Sequence, residues 1–130
     1  MIVYLCGGVN SLGDSECKDW REYAKSKLNY KTLDPMRYDY RGIEKMNYKE
    51  IVESDINDIK NSDAILVNAT KPSWGTAMEI VYAHNLNKEI IAFAGKRISP
   101  WLIYHCREIY QNIDDAIGHI NILEGSWKLR

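Results

Sequence analysis

A chain of 130 residues, 45% of them hydrophobic, is the size of one domain. It has enough material for a core and too little for a separate substrate domain, so closing a site calls for a partner subunit. Its 17 basic and 18 acidic residues are intermixed and leave a formal net charge of −1, which excludes the basic footprint of a nucleic-acid or anionic-membrane binder and favours small-molecule chemistry. No apolar run approaches the roughly 18 residues of a membrane span, and the N-terminus has no basic region followed by a long apolar stretch. Cys6, Cys17 and Cys106 fall in no metal or disulfide spacing, so a cytoplasmic protein with reduced thiols is expected.

Residues 2–6 form a compact apolar run ending in Gly7-Gly8, which predicts a strand, a loop and then a helix over 16–28. A short strand around Thr32-Leu33 leads into a polar loop over 35–45, and Asn47 with Glu50 predicts a helix start that carries to about Asn61. Residues 64–68 read as a third strand, 74–86 as a helix and 90–94 as a fourth strand. Ser99-Pro100 fits a cap followed by proline at the first helical position, opening a short helix through Tyr104. A brief strand over 108–110 and a helix over 113–123 complete the series, with no repeat, linker or low-complexity segment.

Strands alternating with helices in this way predict a parallel sheet covered on both faces, with ligands bound beyond the carboxyl ends of the strands. The loops over 7–14, 34–41, 68–76 and 95–99 therefore converge on one edge. Glu79 is the only formal charge between residues 73 and 87, in a largely apolar helix. An unpartnered carboxylate is costly to bury, so its presence asks for a chemical reason. It lies about one turn into its helix, near the positive end of the dipole. On the preceding helix Asp55 sits between Ile51 and Ile59, beside an inward stripe that includes Val52 and Ile56, while Glu53 and Asp58 read as solvated charges. Two acids at one edge suit cleavage of a glycosidic bond, one attacking the anomeric carbon and the other handling the leaving-group proton. A surface Asp55 and an ion-paired Glu79 would give the same pattern.

The segments Ile2-Val3-Tyr4-Leu5-Cys6-Gly7-Gly8, Asp55 through Asp63, and Pro72-Ser73-Trp74-Gly75-Thr76-Ala77-Met78-Glu79 with Ala83 and Lys88 resemble the nucleoside 2-deoxyribosyltransferase superfamily over most of the chain. The resemblance implies an α/β fold, a flavodoxin-like (Rossmann-like) three-layer sandwich with a mostly parallel five-stranded sheet. It also implies a double displacement in which Glu79 forms a covalent glycosyl intermediate, Tyr4 positions it and Asp55 assists the leaving base. Gly7, Gly8, Val9, Asn10 and Gly75 fall in the matching substrate loops. No metal or organic cofactor is implied, and the resemblance points to a homodimer or higher homo-oligomer with its site completed by a neighbour.

Transferases acting on free nucleosides usually carry aspartate six residues before the nucleophile, where this chain has Ser73. A second aspartate would repel a phosphate, whereas a serine at a helix start can donate to one. The pattern is that of the 2′-deoxynucleoside 5′-monophosphate N-glycosidases, in which a second serine reaches the phosphate from a neighbouring subunit. Ser99 matches that serine, although it suits a helix cap equally well. Where those enzymes have an arginine in the first loop this chain has Asn10, leaving Arg37, Arg41 or Lys71 to supply positive charge. The loop over 34–42 mixes aromatic rings and guanidinium groups, which suits base stacking and phosphate pairing. His84, Trp74, Trp101 and Tyr104 read as core or dimer-packing residues. A base-exchanging deoxyribosyltransferase is the nearest alternative, and a non-catalytic nucleotide-binding module is the alternative of another class.

Overall fold

The computed structural model describes residues 1–10 and 12–128, and the side chains of these up to Leu123. Its elements in chain order are β1 (Ile2–Gly7), α1 (Asp14–Cys17), α2 (Asp19–Lys27), β2 (Lys31–Leu33), α3 (Tyr48–Lys60) and β3 (Ala64–Asn68). They continue with α4 (Trp74–Asn85), β4 (Glu89–Phe93), α5 (Pro100–His105), β5 (Glu108–Tyr110) and α6 (Ile113–Lys128). Single 3-10 turns at Pro35–Arg37 and Glu44–Met46 interrupt the long loop between β2 and α3.

The five strands form one sheet in the order β2-β1-β3-β4-β5, and every pairing is parallel. This is the flavodoxin-like order, with its switch point between β1 and β3. Side-chain alternation divides the core into two layers. Val3, Leu5, Ala64, Leu66, Ile91 and Phe93 pack with Trp20 and Ala24 of α2 and with Ala116, Ile117 and Ile120 of α6. Tyr4, Cys6, Ile65, Val67, Ile90 and Ala92 pack with Ile59 of α3 and with Ile80 and Ala83 of α4. Both sheet faces are covered, which is why the central strands read as unbroken apolar runs.

The expected elements are present, with four physical differences. The helix expected over 16–28 breaks at Lys18, where Cys17 ends α1 and its carbonyl accepts from the Arg21 side chain. Asn47 precedes α3 but its side chain makes no cap; its amide instead donates to the Ile43 carbonyl at 2.9 Å, closing the preceding turn. Val52 faces outward rather than into the core, and it lines the mouth of a cleft. Asp58, expected in solvent, is buried because the β2–α3 loop folds over it and brings Arg37 onto both its oxygens, at 2.6 and 2.8 Å. A buried carboxylate needs such a bidentate partner.

Among the described residues, no helix is long and apolar enough to cross a membrane.

Candidate active site

Ser73 opens α4, its hydroxyl accepting from the Thr76 amide at 3.4 Å. Ile80 and Ala83 then seat the helix on the sheet. That seating turns Glu79, one residue before Ile80, toward the carboxyl end of β1. There the Tyr4 hydroxyl donates to Glu79 Oε2 at 2.7 Å, and the Cys6 thiol donates to the same oxygen at 3.4 Å. Tyr4 and Cys6 are two residues apart on one strand, so both side chains leave the same face. The second oxygen, Oε1, is left to the cleft. Gly75 borders this oxygen: a Cβ there would lie 3.8 Å from it, in ordinary van der Waals contact.

A cleft of about 250 Å³ opens above this carboxylate. Gly7, Val9 and Asn10 form one wall, Ser73, Gly75 and Thr76 another, and Asp55 and Glu79 share the floor. The remaining side is apolar and aromatic: Met36, Tyr38 and Tyr40 from the β2–α3 loop, with Tyr48, Ile51 and Val52 of α3. Glu44 and Ser54 add polar groups to that side. A second cavity of about 400 Å³ adjoins the first through Asn10, Ser73 and Gly75 and is lined further by Gly8, Ser15, Glu16, Asn68, Thr70 and Lys71.

The two carboxyl groups differ in their surroundings. Burial pushes Asp55 up to about 7, and the neighbouring Glu79 and Asp58 charges add to the rise, against Arg21 and Arg37. Burial also raises Glu79, but donation from Tyr4 and Cys6 and the charge of Arg21 oppose the rise. Donors to a carboxylate favour its ionised form, and Asp55 has no such donor among its influences. The pair is therefore unequal: donation from Tyr4 and Cys6 favours the ionised form of Glu79, while burial favours the protonated form of Asp55, an acid beside a nucleophile. Tyr4 itself is pushed well above its ordinary value by burial and by Glu79, so it remains a donor.

Of the residues singled out from sequence, Glu79, Asp55, Tyr4, Gly7, Val9, Asn10, Ser73 and Gly75 meet at this cleft, and Gly8 lines the adjoining cavity. Three lie elsewhere. Arg37 is committed to Asp58 and to the Asp34 carbonyl. Arg41 pairs with Asp39 at 2.7 Å and Asp14 at 2.7 Å. Ser99 caps α5, accepting from the Trp101 amide at 3.1 Å, and lines neither cavity of its own chain. Sequence reasoning read Cys6 only as a reduced thiol and did not place it at the site; the alternation that sets it beside Tyr4 was the available signal. Glu44, Tyr48 and Ser54 were missed for want of any spacing that tied them to the site.

Removing the Tyr4 hydroxyl tests the electrostatic assignment. Hydrogen bonds to charged groups contribute about 1.5–3 kcal/mol, so Tyr4→Phe is expected to lower kcat roughly tenfold to a hundredfold. It also withdraws support from ionised Glu79, moving the acidic limb of the pH–rate profile upward. A profile with an unmoved acidic limb would contradict the assignment.

The parallel sheet of this order carries two carboxyl groups, Asp55 and Glu79, in a cleft beyond the carboxyl ends of its strands, where α/β folds bind small molecules. Residues 3–112 match the family model described as nucleoside 2-deoxyribosyltransferase, and the chain belongs to that family. It is an enzyme of that kind. No curated protein matches the sequence significantly. Among solved structures, the chain is similar to a 2-deoxyribosyltransferase of the psychrotolerant bacterium Bacillus psychrosaccharolyticus, at 15% identity and a TM-score of 0.73, over 94% of this chain and 91% of that one. It is also similar to the CMP N-glycosidase BcmB of Clostridium botulinum, at 18% identity and a TM-score of 0.58, over 94% of this chain and all of the other. These two likenesses are of fold.

Proposed function

We propose that this enzyme is an N-glycosidase that cleaves the N-glycosidic bond of (2′-deoxy)nucleoside 5′-monophosphates, releasing free base and sugar 5-phosphate. The observation that carries the reading is the unequal carboxyl pair on one cleft floor, with Glu79 held by Tyr4 and Cys6 and Asp55 raised to about 7. Glu79 Oε1 forms a bond to C1′ as the C1′–N bond breaks, and the electron pair leaves with the base, which takes the Asp55 proton. Water then attacks C1′, returns a proton to Asp55 and frees the Glu79 carboxylate.

The monophosphate is favoured by what surrounds the sugar end. The cleft lining holds three acids, Glu44, Asp55 and Glu79, and no lysine or arginine among the described residues. The adjoining cavity supplies the contrasting chemistry: the Ser73 hydroxyl, the Asn10 amide, the start of α4 and Lys71, which pairs there with Glu16. Of the three cations considered from sequence, Lys71 alone lines either cavity.

Ser99 enters the reading through a second copy of the chain. Trp74 and Met78 of α4 and Trp101, Ile103 and Tyr104 of α5 expose most of their surface on neighbouring helices, an apolar area that suits a homodimer. Ser99 opens α5, one of these two helices, and in the proposed dimer it would serve the cavity of the other protomer. Ser99→Ala and Glu79→Ala chains, each impaired alone, are then expected to regain about a quarter of wild-type activity when unfolded and refolded together, since half the mixed dimers' sites carry both side chains. No regain would show that each chain completes its own site.

Substrate class is tested by chromatographic detection of free base after incubation with each nucleoside and each 5′-monophosphate, ribo and deoxy, with and without a second base. Release from monophosphates alone supports the reading. Base exchange on free nucleosides makes the enzyme a deoxyribosyltransferase instead.

A further inference from the structure

Among the described residues Arg21 is the largest fully buried side chain, and it takes no part in the bond-making or proton transfer above. Its position follows from a mismatch between neighbouring strands. β2 pairs with β1 only as far as Leu33 opposite Tyr4, while β3 accompanies β1 to Gly7. The Ile2 carbonyl accepts from the Asp63 amide at 2.8 Å, on the β3 side. Carbonyls alternate along a strand, so those of Leu5 and Gly7 face the other way, past the end of β2, where no strand meets them. Arg21 meets both: Nε donates to Leu5 at 3.2 Å and a terminal nitrogen to Gly7 at 2.9 Å. The other terminal nitrogen donates to the Cys17 carbonyl.

We propose that Arg21 is a positioning residue for the reaction: its guanidinium replaces the sheet neighbour that β1 lacks, fixes Gly7 in the wall of the cleft, and keeps a permanent cation beside the strand that holds Glu79. This rests on the glycosidase reading for its catalytic consequence. The residue between the two clamped carbonyls is Cys6, whose thiol donates to Glu79. Gly7 has no room for a side chain, since a Cβ there would come within 2.8 Å of the Trp20 ring and 3.3 Å of Asn68 Cβ. Only a planar fork reaches two carbonyls on one strand edge and a third on α1 at once, so lysine cannot replace it fully. Asp34, 3.8 Å from Nε, offsets part of the charge, but Lys25 shares that carboxylate at 2.5 Å. The cation is therefore incompletely neutralised and lowers the cost of ionising both Asp55 and Glu79. Tyr4, Cys6, Arg37 and Asp58 also bear on this pair.

The test is a carboxyl 13C NMR titration of Asp55 and Glu79 in the whole protein, for wild type, Arg21→Met and Arg21→Lys, beside kcat and amide exchange at residues 7–10. Arg21→Met is expected to raise both titrations by roughly half a pH unit or more and to lower kcat at least tenfold. Arg21→Lys keeps the charge and loses the fork, so its titrations stay near wild type while exchange at residues 7–10 quickens and kcat falls. A folded Arg21→Met protein with unmoved titrations and kcat within twofold of wild type would overturn the proposal. If that variant does not fold, Asp34→Asn takes its place: removing the acid that faces Arg21 should lower both titrations, and no movement would equally overturn it. The titration needs no substrate, so an inactive wild-type protein would count against the glycosidase reading and leave Arg21's role to be judged on its own.

Discussion

Glu79→Gln and Glu79→Ala are each expected to lower kcat at least a hundredfold, with the folded state intact. The loss follows from removing the atom that bonds to C1′, since what remains is substrate positioning and the Asp55 proton. The two variants separate chemistry from packing. Glutamine keeps the shape of the side chain and removes a charge that burial makes costly, so its thermal midpoint should equal or exceed that of wild type. Alanine leaves the Tyr4 hydroxyl and Cys6 thiol without their acceptor and a small void beneath the cleft, so its midpoint should fall. If catalysis falls equally in both while stability moves in opposite directions, the carboxylate is the reactive group. Activity within tenfold of wild type in Glu79→Gln would exclude a covalent role for Glu79. Mass spectrometry of the wild-type protein quenched during turnover supplies the positive counterpart, an adduct of sugar-phosphate mass on the peptide containing Glu79.

The layered fold and the nucleophile were legible in the sequence because each leaves a one-dimensional trace. Both faces of the sheet are covered, so the strand over Ala64–Asn68 reads as a continuous apolar run with the bounds found. Glu79 was visible as the one charge on a helix whose neighbours gave no reason for it. What was not legible depends on where distant segments end. Asp58 is buried only because Arg37, 21 residues away, folds onto it with the loop. The same engagement takes Arg37 out of the cleft, and a local pairing with Asp39 does so for Arg41. Arg21 sits within an ordinary amphipathic helix pattern; its use appears only once β2 is known to stop at Leu33. Ser99 is ambiguous in sequence and caps its helix in the structure, accepting there with one lone pair, a role that leaves its hydroxyl proton available to a second chain.

Asp55→Asn is expected to move stability and activity in opposite directions, and both shifts depend on pH in a way that identifies the cause. An unfolded chain ionises this aspartate near the ordinary value of 3.8, whereas the folded protein holds its proton until about pH 7. Between those values the folded state binds more protons than the unfolded one, so the residue's ionisation erodes stability progressively as pH rises through the window. The erosion is complete above pH 7 and absent below about pH 4. Asparagine removes it. The variant should therefore be more stable than wild type at pH 8, by roughly 2–4 kcal/mol for a shift of this size, and nearly indistinguishable from it at pH 4. Catalysis responds the other way. Wild-type kcat/KM should fall along an alkaline limb near pH 7, as Asp55 gives up the proton it delivers to the leaving base. Asp55→Asn should lose roughly a hundredfold to ten-thousandfold in kcat near neutrality, and with it that limb. Denaturant melts and rate profiles at matched pH read both effects. A variant that retains the alkaline limb would assign it to another group, and one that gains no stability at pH 8 would mean that water in the open cleft already solvates the carboxylate. Stability given up by burying a carboxyl group is, on this account, the source of the acid that the reaction needs at neutral pH.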